Sequence, residues 1–226
     1  MLVFNCTKAA ADFFTVIRKG ETYCFLEPAP HKTIAESIEC PVFPSDVDVN
    51  DNSGFQWQWV VHCVKIKRKK YLLVMDYLSR FCLTFPAPKK GEQYDFLNTF
   101  EGYLKSTFEC LGNDTGLDNI DIEIAIEGYD HKVNTCAFHS RSDRSVQAHL
   151  NDVHWHLERH CYEDYMLSEP VDLIGFNLKM AHFIRNAKGH ESHFFPYKEF
   201  IHFWLYAFVQ YDTDTSNIVY LSDYRK

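Results

Sequence analysis

A chain of 226 residues with 46% hydrophobic side chains, 19 Phe and 13 Tyr can bury a sizeable core and is far too apolar for a disordered segment. Its formal charge of −8 with neutral histidines argues against bulk attraction to nucleic acid or anionic lipid. No apolar run approaches the roughly 18 residues of a bilayer span. The opening MLVFNCTKAAADFF shows neither a basic stretch ahead of its apolar residues nor a small-residue cleavage site, so a soluble cytoplasmic protein with no membrane attachment is expected.

In chain order, LVFNCT reads as a short strand leading into a helix capped by Thr7. Ala11, Phe14 and Ile17 recur at helical spacing before Gly20. TYCFLE is a second short strand. Residues 28 to 54 carry turn and loop chemistry with a short helix at 32 to 39, and the stretch 40 to 55 is the one weak candidate for a domain boundary. From Gln56 to Phe85 the pattern becomes an antiparallel meander: QWQWVVHCVKIK, a basic RKK turn, YLLVMDY and RFCLTF. Trp57, Trp59, Val61 and Cys63 point one way, and Val60, Val64 and Ile66 the other. Such a strand is covered on both faces and therefore central.

GEQYDFLNTFEGYLKSTFECLG follows as a helix with Phe96, Phe100, Tyr103 or Leu104, and Leu111 on one stripe, ending at Gly112. NIDIEIAIEG alternates strictly, which predicts a half-buried strand. RSDRSVQAHLNDVHWHLERHC is an amphipathic helix: Val146, Leu150, Val153, Leu157 and Cys161 form its apolar stripe, and Ser142 or Asp143 caps it. Residues 171 to 185 suit strand or helix, with helix preferred and Pro170 near its start. Pro196 opens PYKEFIHFWLYAFVQ, a last helix apolar nearly all round and so buried, and SNIVYLSDYRK adds an edge strand. Without a repeat, a low-complexity tract or a linker, the expected architecture is one α+β domain, an antiparallel sheet with packed helices.

Chemistry is sparse. His149, Asp152, His156 and His160 lie together on one flank of the amphipathic helix, with His154 on the opposite flank. His149 and His160 stand roughly 16 Å apart along the axis, so one ion cannot take both. Asp152 with His156, or His156 with His160, are i, i+4 pairs that converge. A zinc or other divalent transition-metal site would need a further ligand, with His182, His190 and His193 as the nearest supply. A solvated helix flank is the simpler reading. KIKRKK, with Lys67, Arg68, Lys69 and Lys70 at its turn, is a candidate grip on nucleic-acid phosphates or else a solvated hairpin end. Cys6, between a strand and a helix start, could carry a lowered thiol pKa, though a buried structural thiol is commoner. The eight cysteines are too widely spaced for a Cys-x-x-Cys knuckle. The pairs Glu163/Asp164 and Asp121/Glu123 most simply face water.

FNCT, W…RKKYLLVMDYLSRF and DRSVQAHLND, with the helix at 91 to 111, together resemble an uncharacterised bacterial domain family, a domain of unknown function. The resemblance covers roughly residues 1 to 160, and 161 to 226, expected to be helical, departs more. It implies a shared fold and a bacterial or mobile-element origin, with no chemistry to carry over. Within its helix motif, Arg144, Ser145, Asn151 and Asp152 are the polar members turned away from the apolar stripe, where they could meet a ligand. The expected function is a non-catalytic binding or interaction module for a protein or small-molecule partner. The alternatives are a metal-dependent hydrolase or nuclease using Asp152, His156 and His160, and nucleic-acid binding through the turn at 65 to 70.

Overall fold

The computed structural model describes residues 1–42, 55–163, 169–187 and 192–209. The expected edge strand at 216 to 226, most of the loop at 40 to 55, and His190 and Asp164 lie outside them.

The architecture is α+β, built on a mixed five-stranded sheet in which β1 (Leu2–Cys6), β4 (Trp57–Ile66), β5 (Lys69–Asp76), β6 (Cys82–Pro86) and β7 (Cys136–Ser140) run in the order β6-β5-β4-β1-β7. The meander β4-β5-β6 is antiparallel as the sequence predicts. β1 pairs parallel with both β4 and β7, so the sheet is mixed rather than wholly antiparallel. The reason is topological: long helical crossovers separate these strands, and such connections bring strands back in parallel. A second, two-stranded sheet joins β2 (Val16–Arg18) to β3 (Glu21–Tyr23). Its turn at Lys19 and Gly20 has positive φ at both residues, which suits a tight hairpin and ends the helical reading early. The first helix, α1 (Lys8–Phe14), therefore stops before Ile17, which is exposed. Its cap is Thr7, whose side chain accepts from the Ala10 amide, and Thr33 forms a capping box on α2 (Ile34–Glu39).

One face of the sheet is aromatic. Phe4 meets Phe96 and Phe100 of α3 (Gln93–Thr115) edge-on at 5.1 Å, and Trp59 meets Phe100. Trp57 packs on Trp204 of α7 (Pro196–Phe208). That helix is less uniformly buried than its composition suggests, since Tyr206 is exposed. Gly112, the expected end of α3, lies inside it. A Cβ there would stand 2.7 Å from Ile122, so the glycine serves close helix packing, and Gly116, at φ 80°, ends the helix.

The predicted strand at NIDIEIAIEG is instead α4 (Asn119–Lys132), capped by Asp118. Alternating isoleucines over so few residues also satisfy a helix: Ile122, Ala125 and Tyr129 turn inward, and Ile120 and Ile124 stay exposed. On the opposite sheet face lies α5 (Arg144–Tyr162), capped by Asp143, with Val146, Leu150, Val153, Leu157 and Cys161 all buried. α6 (Pro170–Ala181) begins at its proline and runs beside β6.

Candidate functional site

The first turn of α5 packs against the β5–β6 turn, where Arg80 is buried with Asp76, Asp143 and Tyr77 in electrostatic reach but, among the described residues, no carboxylate at ion-pair distance. Asp76, at the end of β5, accepts hydrogen bonds from Trp57 Nε1 at 2.9 Å and from the amide of Ser79 at 2.8 Å, which fixes the turn through Tyr77, Leu78, Ser79 and Arg80. Burial raises the Asp76 pKa, with these hydrogen bonds opposing the shift. Arg80 adopts φ 58° in this turn and is only 4% exposed. Its Nη2 donates to Ser145 Oγ at 3.2 Å and its guanidinium lies over the Tyr77 ring, where Tyr77 supports its charge, while Nε and Nη1 meet no acceptor in good hydrogen-bond geometry among the described residues.

Arg141, between β7 and α5, is 7% exposed. Its Nε donates to Asn5 Oδ1 at 2.8 Å, and Nη1 donates to the carbonyls of His31 and Thr33 and to Ser37 Oγ, tying α2 to the sheet. Nη2 is without a partner. Asn5 is itself held by Nδ2 donating to Gln58 Oε1 and the Trp59 carbonyl. Tyr77 stands within electrostatic reach of both guanidiniums and of Asp143; burial, then Asp143, raise its hydroxyl pKa, and the two arginines oppose that. Asp143 is engaged elsewhere, accepting from the amides of Ser145 and Val146 as the cap of α5. Among the described residues neither Arg80 nor Arg141 has a carboxylate within ion-pair distance.

Of the residues predicted from the helix motif, Ser145 belongs to this cluster. Arg144 and Asn151 are exposed, and Asn151 Oδ1 accepts from Gln147. Asp152 is drawn to Arg185, a third buried arginine, whose Nη1 donates to its Oδ2. His149, between them, donates Nε2–H to the Asn186 carbonyl at 3.1 Å; burial first, then Arg185 and Arg80, hold its pKa below the usual value.

The three suggested metal ligands are differently occupied. Asp152 has one oxygen on Arg185 and the other 3.8 Å from His156 Nε2, whose ring stacks on Phe183. His160 donates Nδ1–H to the His156 carbonyl and meets Lys179 through Nε2. His182 stacks on Tyr197, and His193 is exposed. Among the described residues, no three His, Cys, Asp or Glu side chains come together as ligands.

The basic turn sits at the other end of α5. Lys67 donates to the Cys161 carbonyl and lies over the Tyr162 ring, and Lys70 lies over Phe13, which leaves Lys65, Arg68 and Lys69 directed to solvent. Cys6 is buried, and burial pushes its thiol pKa far up, which keeps it protonated. Sequence reasoning missed Arg80 and Arg141, because a lone arginine in a hairpin or after a strand carries no periodic signal. The available hint was that Arg80 lies inside YLSRF and Asn5 inside FNCT, two of the stretches on which the family resemblance rests. A model of the family described as domain of unknown function (DUF6933) matches residues 3–199. No curated protein and no solved structure matches the chain. No helix among the described residues is long and apolar enough to cross a membrane.

Proposed function

The chain belongs to the domain-of-unknown-function family DUF6933, and from that premise we propose that it is a binding module whose ligand site lies between the β5–β6 turn and the first turn of α5. The observation that carries this reading is Arg80: a nearly fully buried guanidinium whose Nε and Nη1 meet no acceptor in hydrogen-bond geometry among the described residues. No described carboxylate lies within ion-pair distance of it, Asp76 and Asp143 acting on it only from farther off. A buried charge of this kind costs several kcal/mol unless an opposite charge and hydrogen-bond acceptors meet it. Arg141, between β7 and α5, is also buried and leaves one nitrogen without a partner among the described residues. The cost is offset when a ligand supplies what the chain withholds. On the flank of α5 that carries Asp152 and His156, Arg185 also leaves its Nε without a partner among the described residues, but its charge is met by Asp152.

Native mass spectrometry of untagged protein, followed by release and identification of any retained small molecule, tests the reading together with a thermal-shift screen of charged and uncharged ligands. Stabilisation by a ligand that Arg80→Met and Ser145→Ala both abolish, and that Arg68→Glu on the distant hairpin leaves intact, is the expected result. Binding that survives both substitutions places the ligand elsewhere and ends the proposal.

A further inference from the structure

The outer face of α5 has no helix or strand packed on it among the described residues, and its side chains complement one another end to end. We infer that this face is an interface between two copies of the chain, which meet through antiparallel α5 helices related by a two-fold axis.

α5 covers its sheet face with Val146, Leu150, Val153, Leu157 and Cys161. At about 100° per residue, the opposite side carries Arg144, Ala148, Asn151, Trp155, Glu158 and Tyr162. All of these are exposed. Trp155 and Tyr162, two turns apart, are 54% and 57% exposed, so the middle and the end of the helix each hold a large ring out to solvent. Arg159 lies over the Trp155 ring and Lys67 over that of Tyr162, which holds both rings in place without covering them.

These positions follow the alternating three- and four-residue spacing by which paired helices interlock. An antiparallel copy, placed on a two-fold axis at the level of Val153, sets Arg144 against Tyr162, Ala148 against Glu158 and Asn151 against Trp155. Any helix face has such spacing; the side chains are what make this pairing favourable. The bulky indole falls on the narrow part of the seam, at Ala148 and Asn151. Arg144, which has no ion pair among the described residues, falls on the Tyr162 ring with the carboxylates of Glu158 and Glu163 of the second copy beside it. Opposed helices also bring each positive N-terminus beside a negative C-terminus. A parallel pair would instead set Arg144 against Arg144 and Glu158 against Glu158. A nucleic acid or an anionic membrane calls for a cationic face, whereas here Arg144 and Arg159 are balanced by Glu158 and Glu163.

α5 is about 28 Å long, so contact along it makes a small interface, and a dissociation constant on the order of 10 μM is expected. Sedimentation equilibrium of the full chain from about 1 to about 200 μM reads this as a rise in mass. Trp155→Glu and Arg144→Glu should each weaken the dimer at least ~10-fold while leaving the circular dichroism and melting temperature of the dilute protein unchanged, because both residues are exposed. Glu123→Lys, on exposed α4, should leave the equilibrium as it is. Ala148→Cys and Glu158→Cys, made in separate chains, read the direction. An oxidised mixture of the two should give a covalent dimer bridged between the introduced thiols, identified by mass mapping, and neither variant alone should bridge to itself there. A chain that stays monomeric throughout the range, a dimer that both glutamate substitutions leave unchanged, or self-bridging of the Ala148→Cys variant at the introduced thiol overturns the inference.

Discussion

Asn177 of α6 closes the free edge of β6: its Oδ1 accepts from the Thr84 amide at 2.8 Å, and its Nδ2 donates to the Thr84 carbonyl at 3.3 Å. β6 is an outer strand of the sheet, so these two backbone groups have no neighbouring strand, and both residues are fully buried. The carboxamide thus imitates a paired strand residue, which also denies the edge to other chains. Asn177→Leu keeps the volume and strands both groups, at about 1–3 kcal/mol for each. Urea unfolding should show that loss, and the variant should aggregate more readily. A midpoint within error of the parent would mean that the edge finds other partners.

Two helical glycines give opposite outcomes for one substitution. At Gly128 of α4, an added Cβ would stand 2.0 Å from the Phe208 carbonyl oxygen at the end of α7, whereas at Gly102 of α3 nothing lies within 4 Å. Gly102→Ala should raise stability by up to about 1 kcal/mol, the ordinary helix-propensity gain. Gly128→Ala should lower it, because α4 and α7 must separate and Trp204 then loses its hydrogen bond to the Ala125 carbonyl. Parallel denaturation curves for the two variants decide the matter by their opposite displacement.

These cases also show where the sequence was readable. α5 was legible to its cap, since one stripe of five apolar residues admits a single burial, and the Asp143 side chain sits where a cap must. The alternating inward and outward residues of β4 were equally plain. NIDIEIAIEG was not, because its isoleucines satisfy two periodicities and only packing of Ile122 and Tyr129 against α3 and α7 selects the helix. Parallel pairing of β1 with β4 and β7 depends on crossovers that no local pattern encodes. The buried arginines were hidden for a related reason: Arg80, Arg141 and Asn5 are far apart in sequence, and only the closed fold buries them.

Thiol reactivity follows burial. Cys24 and Cys40 are exposed, whereas Cys6 and Cys82 are buried, the latter with its pKa pushed up to about 12 by desolvation. Pulse alkylation with mass mapping should label Cys24 and Cys40 first and leave Cys6 and Cys82 unmodified until denaturant is added. Early labelling of Cys6 would revive it as a nucleophile.

Four histidines give stability a pH dependence of fixed sign. His62, His139, His149 and His156 all have pKa values below the ordinary 6.5, desolvation being the largest cause in each. The unfolded chain then binds protons more readily than the folded one between the folded values and 6.5. Their contribution is complete above about 6.5 and is lost as the pH falls through the lowered values. Asp76 acts in the opposite sense, since its raised pKa relieves a burial penalty on acidification, so the profile is to be measured in an Asp76→Asn background, which removes that opposing group. The melting temperature should fall as the pH is lowered from about 7 to about 5, and His149→Gln should make that fall shallower. A flat profile across that range would contradict the assignment.

Arg80→Met should separate stability from binding. The parent side chain has three contacts of note, Ser145 Oγ, the Tyr77 ring and the surrounding apolar packing, against the cost of a buried guanidinium with two open nitrogens. Methionine retains the packing and removes the charge, and replacing buried charge by apolar side chains of similar volume is neutral or stabilising by about 1–4 kcal/mol. The ligand-free variant is therefore expected to melt at the same temperature as the parent or higher, while losing the rise that the ligand of the proposed site induces. That combination is the signature of a residue kept for its ligand at the expense of the empty fold. A substantial fall in ligand-free melting temperature would instead make Arg80 a structural strut, held by Ser145 and Tyr77 for the sake of the β5–β6 turn.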